Sequence, residues 1–464
     1  MKDGRRRIAG AGSDVGRNGG RWTVAVVGCL AALVVTMGTA LASGSANQAG
    51  WRLPGLLGLC WLEFAVAYAA LRRASGRAVV VLIVVGAVAL QLVAVVFPPR
   101  LTDDYYRYAW DGRVQAAGID PYRYAPVDPA LSGLRDPWLF PPACRQAGPA
   151  CTRMNHPTDP TIYPPVAQAE FLAVHVLTRP LGPAGGAELT WQILGAVLAL
   201  GTCLALLRVR RGRGDPRQAA LWAWCPTVVL ECGNNGHVDA LAALLVVLAL
   251  AAAAAGHPRR AGAVLGAAIA TKILPVLVLP ALLAGPRTGR ITRIAKILVA
   301  AALVVVTGYL PHLFAVGTRV LGFLPGYLAE EGYQGHSRYG LLRVVLPDAA
   351  ATVIAVITIT GVAVLVARRT DPERPWSGAV VVVGTAFILG GITYPWYALL
   401  LVALVALDGR WEWLAVAAAA YPGYLTAALH LPWTLTQQVS YACALVLLAA
   451  GYGLRIRSGR HSRP

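Results

Sequence analysis

The chain has 464 residues, of which 57% are hydrophobic and 14% charged. Soluble domains carry about 45–50% apolar and about 25% charged residues, so a water-solvated globule and a disordered chain are excluded, and eight cysteines in this length are too sparse for a disulfide scaffold. The net charge of +19 invites a nucleic-acid reading, which the placement of the charges removes.

A basic head, residues 1–21, precedes the first apolar run at 22–42. That run is long enough to span a bilayer and lacks a small-residue cleavage site before a soluble domain, so it reads as an anchor. Further apolar runs follow at 53–71, 78–97, 189–207, 219–232, 238–255, 261–284, 294–316, 347–367, 378–393, 397–407, 411–429 and 435–454. Each is expected to be helical, because a segment in lipid must satisfy its own backbone hydrogen bonds. The run 165–181 is bounded by Tyr163-Pro164-Pro165 and Arg179-Pro180. If it crossed, every later basic cluster would lie outside, whereas Lys and Arg accumulate in cytoplasmic loops. It is therefore expected along the outer interface. The run 261–284 has basic residues on both flanks and reads as a hairpin of two short helices with Lys272 near its outer tip.

The expected protein is all-α and polytopic, with about 13–14 transmembrane helices in the plasma membrane and both termini cytoplasmic. The positive charge then faces anionic lipid and is no nucleic-acid footprint. The division is a basic cytoplasmic tail (1–21), N-terminal transmembrane helices (22–97), a large external loop with interfacial helices (98–187), central transmembrane helices (188–316), a second external loop (317–346), C-terminal transmembrane helices (347–454) and a cytoplasmic tail (455–464). Glu63 is the one ionisable residue this assignment leaves inside the membrane.

The first long loop holds Cys144 and Cys151, which form either a disulfide in an oxidising compartment or two free thiols. It also holds Thr102-Asp103-Asp104-Tyr105-Tyr106-Arg107-Tyr108-Ala109-Trp110-Asp111-Gly112-Arg113. Asp103 is a natural N-cap and Gly118 a natural stop. On that helix Tyr106, Trp110 and Val114 share a stripe expected at headgroup level, while Asp104, Arg107, Tyr108 and Asp111 take another face. A second polar constellation faces the same side: Asn155-His156 and Tyr163, Asn234-Asn235 with His237 and Asp239, Lys272, His336 with Arg338, and Tyr394-Pro395-Trp396-Tyr397. Taken singly, these are a satisfied interfacial histidine, a snorkelling lysine and aromatic-belt residues. Taken together, ionisable groups at span ends that open on one face are functional candidates.

Carboxylate, cations and aromatics at an outer leaflet suit sugar transfer from a lipid-linked phosphate. Arg107, Lys272 and Arg338 can meet the phosphate, an Asp can take the acceptor proton, and Tyr and Trp faces suit the CH-rich face of a sugar. No Gly-rich phosphate loop points to a nucleotide donor.

In these residues the sequence resembles the GT-C glycosyltransferases, and within them it is similar to bacterial, especially actinobacterial, polyprenyl-phosphate-mannose-dependent mannosyltransferases. The resemblance covers most of 101–407 and is most specific over 103–126 and 156–165. It implies an inverting transfer, with mannose the expected sugar, from a polyprenyl-phosphate donor to an extracytoplasmic glycan or glycolipid, with an acidic residue of the first loop as general base. By motif position Asp104 matches that base and Asp103 is second. Arg107 matches a donor-phosphate or loop-ordering role and Lys272 the donor-phosphate end, while Arg338 is a donor-phosphate candidate by its charge. Asp111, Arg113, His156, Tyr163, His237, Asp239, His336, Tyr394, Trp396 and Tyr397 are the substrate-binding candidates. No cofactor is implied, and no ligand spacing indicates a metal. Three spans precede the Asp pair, where many family members have one. The alternative is a polytopic transporter or flippase of lipid-linked sugars, which calls for ionisable groups near mid-membrane and internal repeats.

Overall fold

The computed structural model describes residues 5–74, 76, 78–143, 151–181, 187–285, 288–333 and 338–460. In chain order the main helices are α1 (Arg5–Ala42), α2 (Arg52–Leu71), α3 (Ala78–Val96), α4 (Asp104–Ala116), α5 (Pro165–Thr178), α6 (Ala187–Arg213), α7 (Asp239–Ala254), α8 (Pro258–Ile269), α9 (Leu279–Leu283), α10 (Arg290–Val316), α11 (Asp348–Arg369), α12 (Trp376–Gly390), α13 (Ala398–Asp408) and α14 (Trp433–Arg460). The basic head from Arg5 onward continues the first helix. Among the described residues, seven helical segments are long and apolar enough to cross a membrane, in α1, α2, α3, α6, α10, α11 and α14. Shorter apolar helices, α7, α12 and α13 among them, complete the bundle.

The core gathers α1–α3, α6, α7, α12 and α13 around the fully buried Trp222, Trp224 and Trp376. Every residue of α13 from Ala398 to Leu407 is buried, so this helix is wrapped on all sides. By contrast α10, α11 and α14 present exposed Leu, Val and Ile, including Leu303, Val353 and Leu447. Such surfaces are at home against acyl chains. Gly262 and Gly266 set α8 on α10: a Cβ on either would stand 2.2 Å from Ile297 O or 2.5 Å from Ala301 O. Small residues four apart let two helix backbones meet in this way.

Two runs expected as single helices are broken. Residues 219–232 divide into Ala220–Ala223, Pro226–Val228 and a π-helical turn, Val229–Asn234. Pro226 cannot continue the preceding helix because it lacks an N–H and clashes with the turn before it. Residues 411–429 divide into Trp411–Trp413, Leu414–Ala418, Ala420–Tyr424 and Thr426–Leu429. Residues 261–284 do form a helical hairpin: α8 ends at Ile269, Thr271 and Lys272 form the turn, and Leu274–Val278 leads back into α9.

The long 98–187 loop has its own core. Trp110 and Val114 pack with Leu131, Leu139 and Met154, and Tyr106 joins them. The stripe expected at headgroup level is therefore spent inside the loop, because the 129–154 segment folds over it. The opposite face of α4 is buried as well, with Tyr108 against Tyr163, Phe171 and Trp191. Gly112 brings α4 onto α5, since a Cβ there would stand 2.3 Å from Phe171 O. The amide of Val166 donates to Ala270 O at 2.8 Å, which docks the start of α5 on the tip of the α8–α9 hairpin. Cys151 is disulfide-bonded. Cys144 and His336 lie outside the described residues.

Candidate active site

The site is built where α4 begins. Gly118 takes φ +76° and closes the helix as expected. Asp103 occupies the N-cap position, but its side chain makes no cap; Thr102 Oγ1 accepts the Asp104 amide at 3.1 Å instead. This leaves both carboxylates for other partners. Asn155 Nδ2 donates to Asp103 Oδ1 at 3.0 Å and to Asp104 Oδ1 at 2.6 Å, clamping the pair. The hydroxyls of Tyr163 and Tyr108 donate to Asp104 Oδ2 at 3.3 and 3.5 Å. Asp104 is 8% exposed, and Asp103 is the more exposed of the two.

From Asp104 the contacts run in a closed circuit. Tyr163 binds Asp104 through its hydroxyl and offers its ring to Lys272 Nζ at 5.1 Å. Lys272 also lies 5.3 Å from the Tyr397 ring and pairs with Asp239 Oδ2 at 3.4 Å. Tyr397 meets Trp396 edge-on at 6.0 Å, and Trp396 stacks on His237 at 4.0 Å. His237 Nδ1 returns to Asp104 Oδ2 at 3.6 Å. Tyr394 stacks on Trp396 at 4.7 Å. The circuit joins the loop helix α4, the segment before α5, the turns before α7 and after α8, and the segment before α13.

Behind His237 stands Glu231. Its Oε2 lies 3.3 Å from His237 Nε2 and accepts from Asn235 Nδ2 at 2.9 Å, while its Oε1 accepts from the Tyr421 hydroxyl at 2.8 Å. Glu231 sits on the π-helical turn, a distortion that recurs at functional sites because it re-aims side chains. Burial disfavours a charged imidazole, but the carboxylates of Asp104 and Glu231 on either side outweigh it and lift His237 to about 9. Burial works against the charged Asp104 too, yet His237, Lys272 and Asn155 hold it below the ordinary carboxylate range. Asp103 is raised, by desolvation first and then by the neighbouring Asp104.

The expected residues fall into three groups. Asp104, Asp103, Tyr163, His237, Asp239, Lys272, Tyr394, Trp396 and Tyr397 come together. Arg338 stands one shell out: its guanidinium pairs with Glu331 and donates to Thr393 Oγ1 at 2.6 Å, while Tyr397 reaches Tyr327 hydroxyl to hydroxyl. The rest lie elsewhere. Arg107 pairs with Asp111 at 3.0 Å and donates to the carbonyls of His156 and Asp159, so its guanidinium is engaged in ordering the loop. Asp111 accepts from Arg107, Thr161 and Gln168, and is buried. Arg113 pairs with Asp136 at 2.5 Å on another flank of α4. His156 meets Phe323 in a tilted ring contact at 4.9 Å, with Asp159 and Glu330 3.8 Å from its Nδ1.

Glu231 and Tyr421 escaped the sequence reading, although the signal for Glu231 was present. It is a carboxylate inside an apolar run, as Glu63 is, and it is 1% exposed. Glu63 is therefore not the sole ionisable group sunk among the helices. Glu63 itself only accepts from Thr36 Oγ1 at 3.0 Å.

Glycosyltransferase family 87 matches residues 161–389. The matched stretch contains Tyr163, Glu231, His237, Asp239 and Lys272, and it begins after the Asp103–Asp104 pair. No curated protein and no solved structure matches the chain. Residues 161–389 are thus similar to glycosyltransferase family 87, within an all-α, multi-pass membrane protein.

Proposed function

We propose that the protein transfers a sugar, mannose in the first instance, from a polyprenyl-phosphate donor to a glycan or glycolipid acceptor on the extracytoplasmic face, with inversion at the anomeric carbon. The single observation that supports this reading is the closed circuit Asp104–Tyr163–Lys272–Tyr397–Trp396–His237. It sets a carboxylate and an ammonium on two sides of one group of aromatic rings.

In this reading Asp104 Oδ2 takes the acceptor hydroxyl proton as the acceptor oxygen bonds to the anomeric carbon. The bond from that carbon to the phosphate oxygen breaks, and the electron pair leaves on the polyprenyl phosphate. Lys272 meets the growing phosphate charge. Asp239 holds the ammonium in place, and Tyr394, Trp396 and Tyr397 face the sugar ring. His237, carried as imidazolium between Asp104 and Glu231, keeps Asp104 ionised and ready. Arg107 orders the loop that presents the Asp pair.

The test is transfer itself. Purified protein is offered a panel of polyprenyl-phosphate sugars with membrane glycolipid extract, and products are identified by mass spectrometry. One sugar joined to an acceptor, with release of polyprenyl phosphate, is expected; intact donors across the whole panel would refute the reading.

A further inference from the structure

A cavity lies on another flank of α4, away from the circuit. It measures about 430 Å³ and is walled by α4 at Ala109 and Arg113, by residues 133–138, by α5 from Val174 to Arg179, and by α6 at Thr190 and Trp191. A volume of this order is typical of small-ligand sites, which run from about 300 to about 1,000 Å³. Tyr108, Phe171 and Trp191, in mutual ring contact at 4.5–5.7 Å, stand between it and Asp104.

The charge of this cavity is one-sided. Arg113, Arg135 and Arg179 line it against one carboxylate, Asp136, which is taken by Arg113 at 2.5 Å. Arg135 donates through Nη2 to the carbonyls of Asp128 and Pro126, and its buried Nε has no hydrogen-bond partner among the described residues. Arg179 makes no ion pair among the described residues. His175 registers the field: burial first, then Arg113 and Arg179, lower its pKa and favour the neutral ring. The half-buried indole of Trp138 lines the cavity as well, and Trp191, 3% exposed, closes its inner wall.

The walls turn apolar immediately beside these positions. Val176 and Leu177 on α5 and Leu189 and Ile193 on α6 are exposed, Leu177 at 78%. Cationic lining, indoles and adjoining bare aliphatic surface together fit an amphiphile rather than a soluble anion. Indoles favour the headgroup level, aliphatic surface favours acyl chains, and guanidinium favours phosphate. We infer that this cavity binds the phosphate headgroup of an anionic membrane lipid, with its acyl chains along α5 and α6. The site is separate from the circuit around Asp104, and the inference does not depend on the chemistry proposed there.

The experiment is native mass spectrometry of the purified full chain titrated with phosphatidylglycerol, with phosphatidylcholine as the neutral control. Retained phosphatidylglycerol in excess over phosphatidylcholine is expected. An arginine beside an anionic lipid contributes about 1 kcal/mol, so Arg179→Gln is expected to lower the retained fraction about fivefold. Arg179 is exposed and holds no structural pair, so this variant folds as the parent does; Arg113→Gln is the second variant, with thermal unfolding as its folding check. Equal retention of both lipids, or phosphatidylglycerol retention unchanged in Arg179→Gln and in folded Arg113→Gln, would overturn the inference. So would displacement of the lipid by millimolar sn-glycerol 3-phosphate, which would make the site one for a soluble phosphate.

Discussion

At the scale of single residues, the decisive feature is how protons are distributed along Tyr421–Glu231–His237–Asp104. A carboxylate poised to accept a proton must be ionised at rest, and Asp104 is held so by a cation it touches and by Asn155. His237 is the titrating member of this chain. Its folded pKa of about 9 lies above the roughly 6.5 of a free imidazole. The imidazolium therefore stabilises the fold fully below pH about 6.5, and this contribution is lost as pH climbs through 9. The same deprotonation removes the positive charge beside Asp104. Transfer activity is expected to fall on the alkaline side near pH 9, and His237→Gln to lose that limb while keeping a lower, flatter rate. A pH–rate profile of the variant with the parent's alkaline limb intact would show that another group sets it. Lys272 and Asp239 form the other charged pair, and both were visible in the sequence as ionisable residues, Lys272 at the tip of the 261–284 hairpin and Asp239 at the head of a span. Glu231 was harder to see because its partners, His237, Asn235 and Tyr421, are assembled only when the π-helical turn and the broken 411–429 segment meet.

At the scale of elements, close approach governs the architecture. α4 bears the Asp pair, and its position is set by the contact of Gly112 with Phe171 on α5 and by the docking of Val166 on Ala270. Gly112→Ala forces a Cβ to within 2.3 Å of a backbone oxygen, so α4 must shift from α5. Overpacking of this kind costs about 1–3 kcal/mol. The thermal midpoint of the purified protein is expected to drop, with transfer lost at temperatures where the parent still works; an unchanged midpoint would contradict the contact. The long helices were legible because uninterrupted apolar length has one solution in lipid. The breaks at 219–232 and 411–429 were not, even with Pro226 and Pro422 in view, because whether a proline kinks or ends a helix depends on what packs against it. The aromatic stripe of α4 misled for a related reason. Periodicity showed that Tyr106, Trp110 and Val114 share a face, but not that residues 129–154 fold over it.

At the scale of the whole molecule, lipid and site divide the surface. Exposed aliphatic faces on α10, α11 and α14 belong to the bilayer, and the polar groups converge at the α4 end of the bundle. The buried Glu231 and Asp239 meet one requirement of a transporter, but each pairs with a member of the circuit, His237 and Lys272, rather than standing in a file of charges through the bundle. The central claim is that Asp104 removes a proton during bond formation. It is tested most directly with membranes carrying equal amounts of the parent and of Asp104→Asn, each given labelled polyprenyl-phosphate mannose and acceptor glycolipid. The account predicts labelled glycolipid from the parent and a loss of at least about 100-fold in the variant, the scale of a general base. Labelled product at the parent's rate from Asp104→Asn would contradict it.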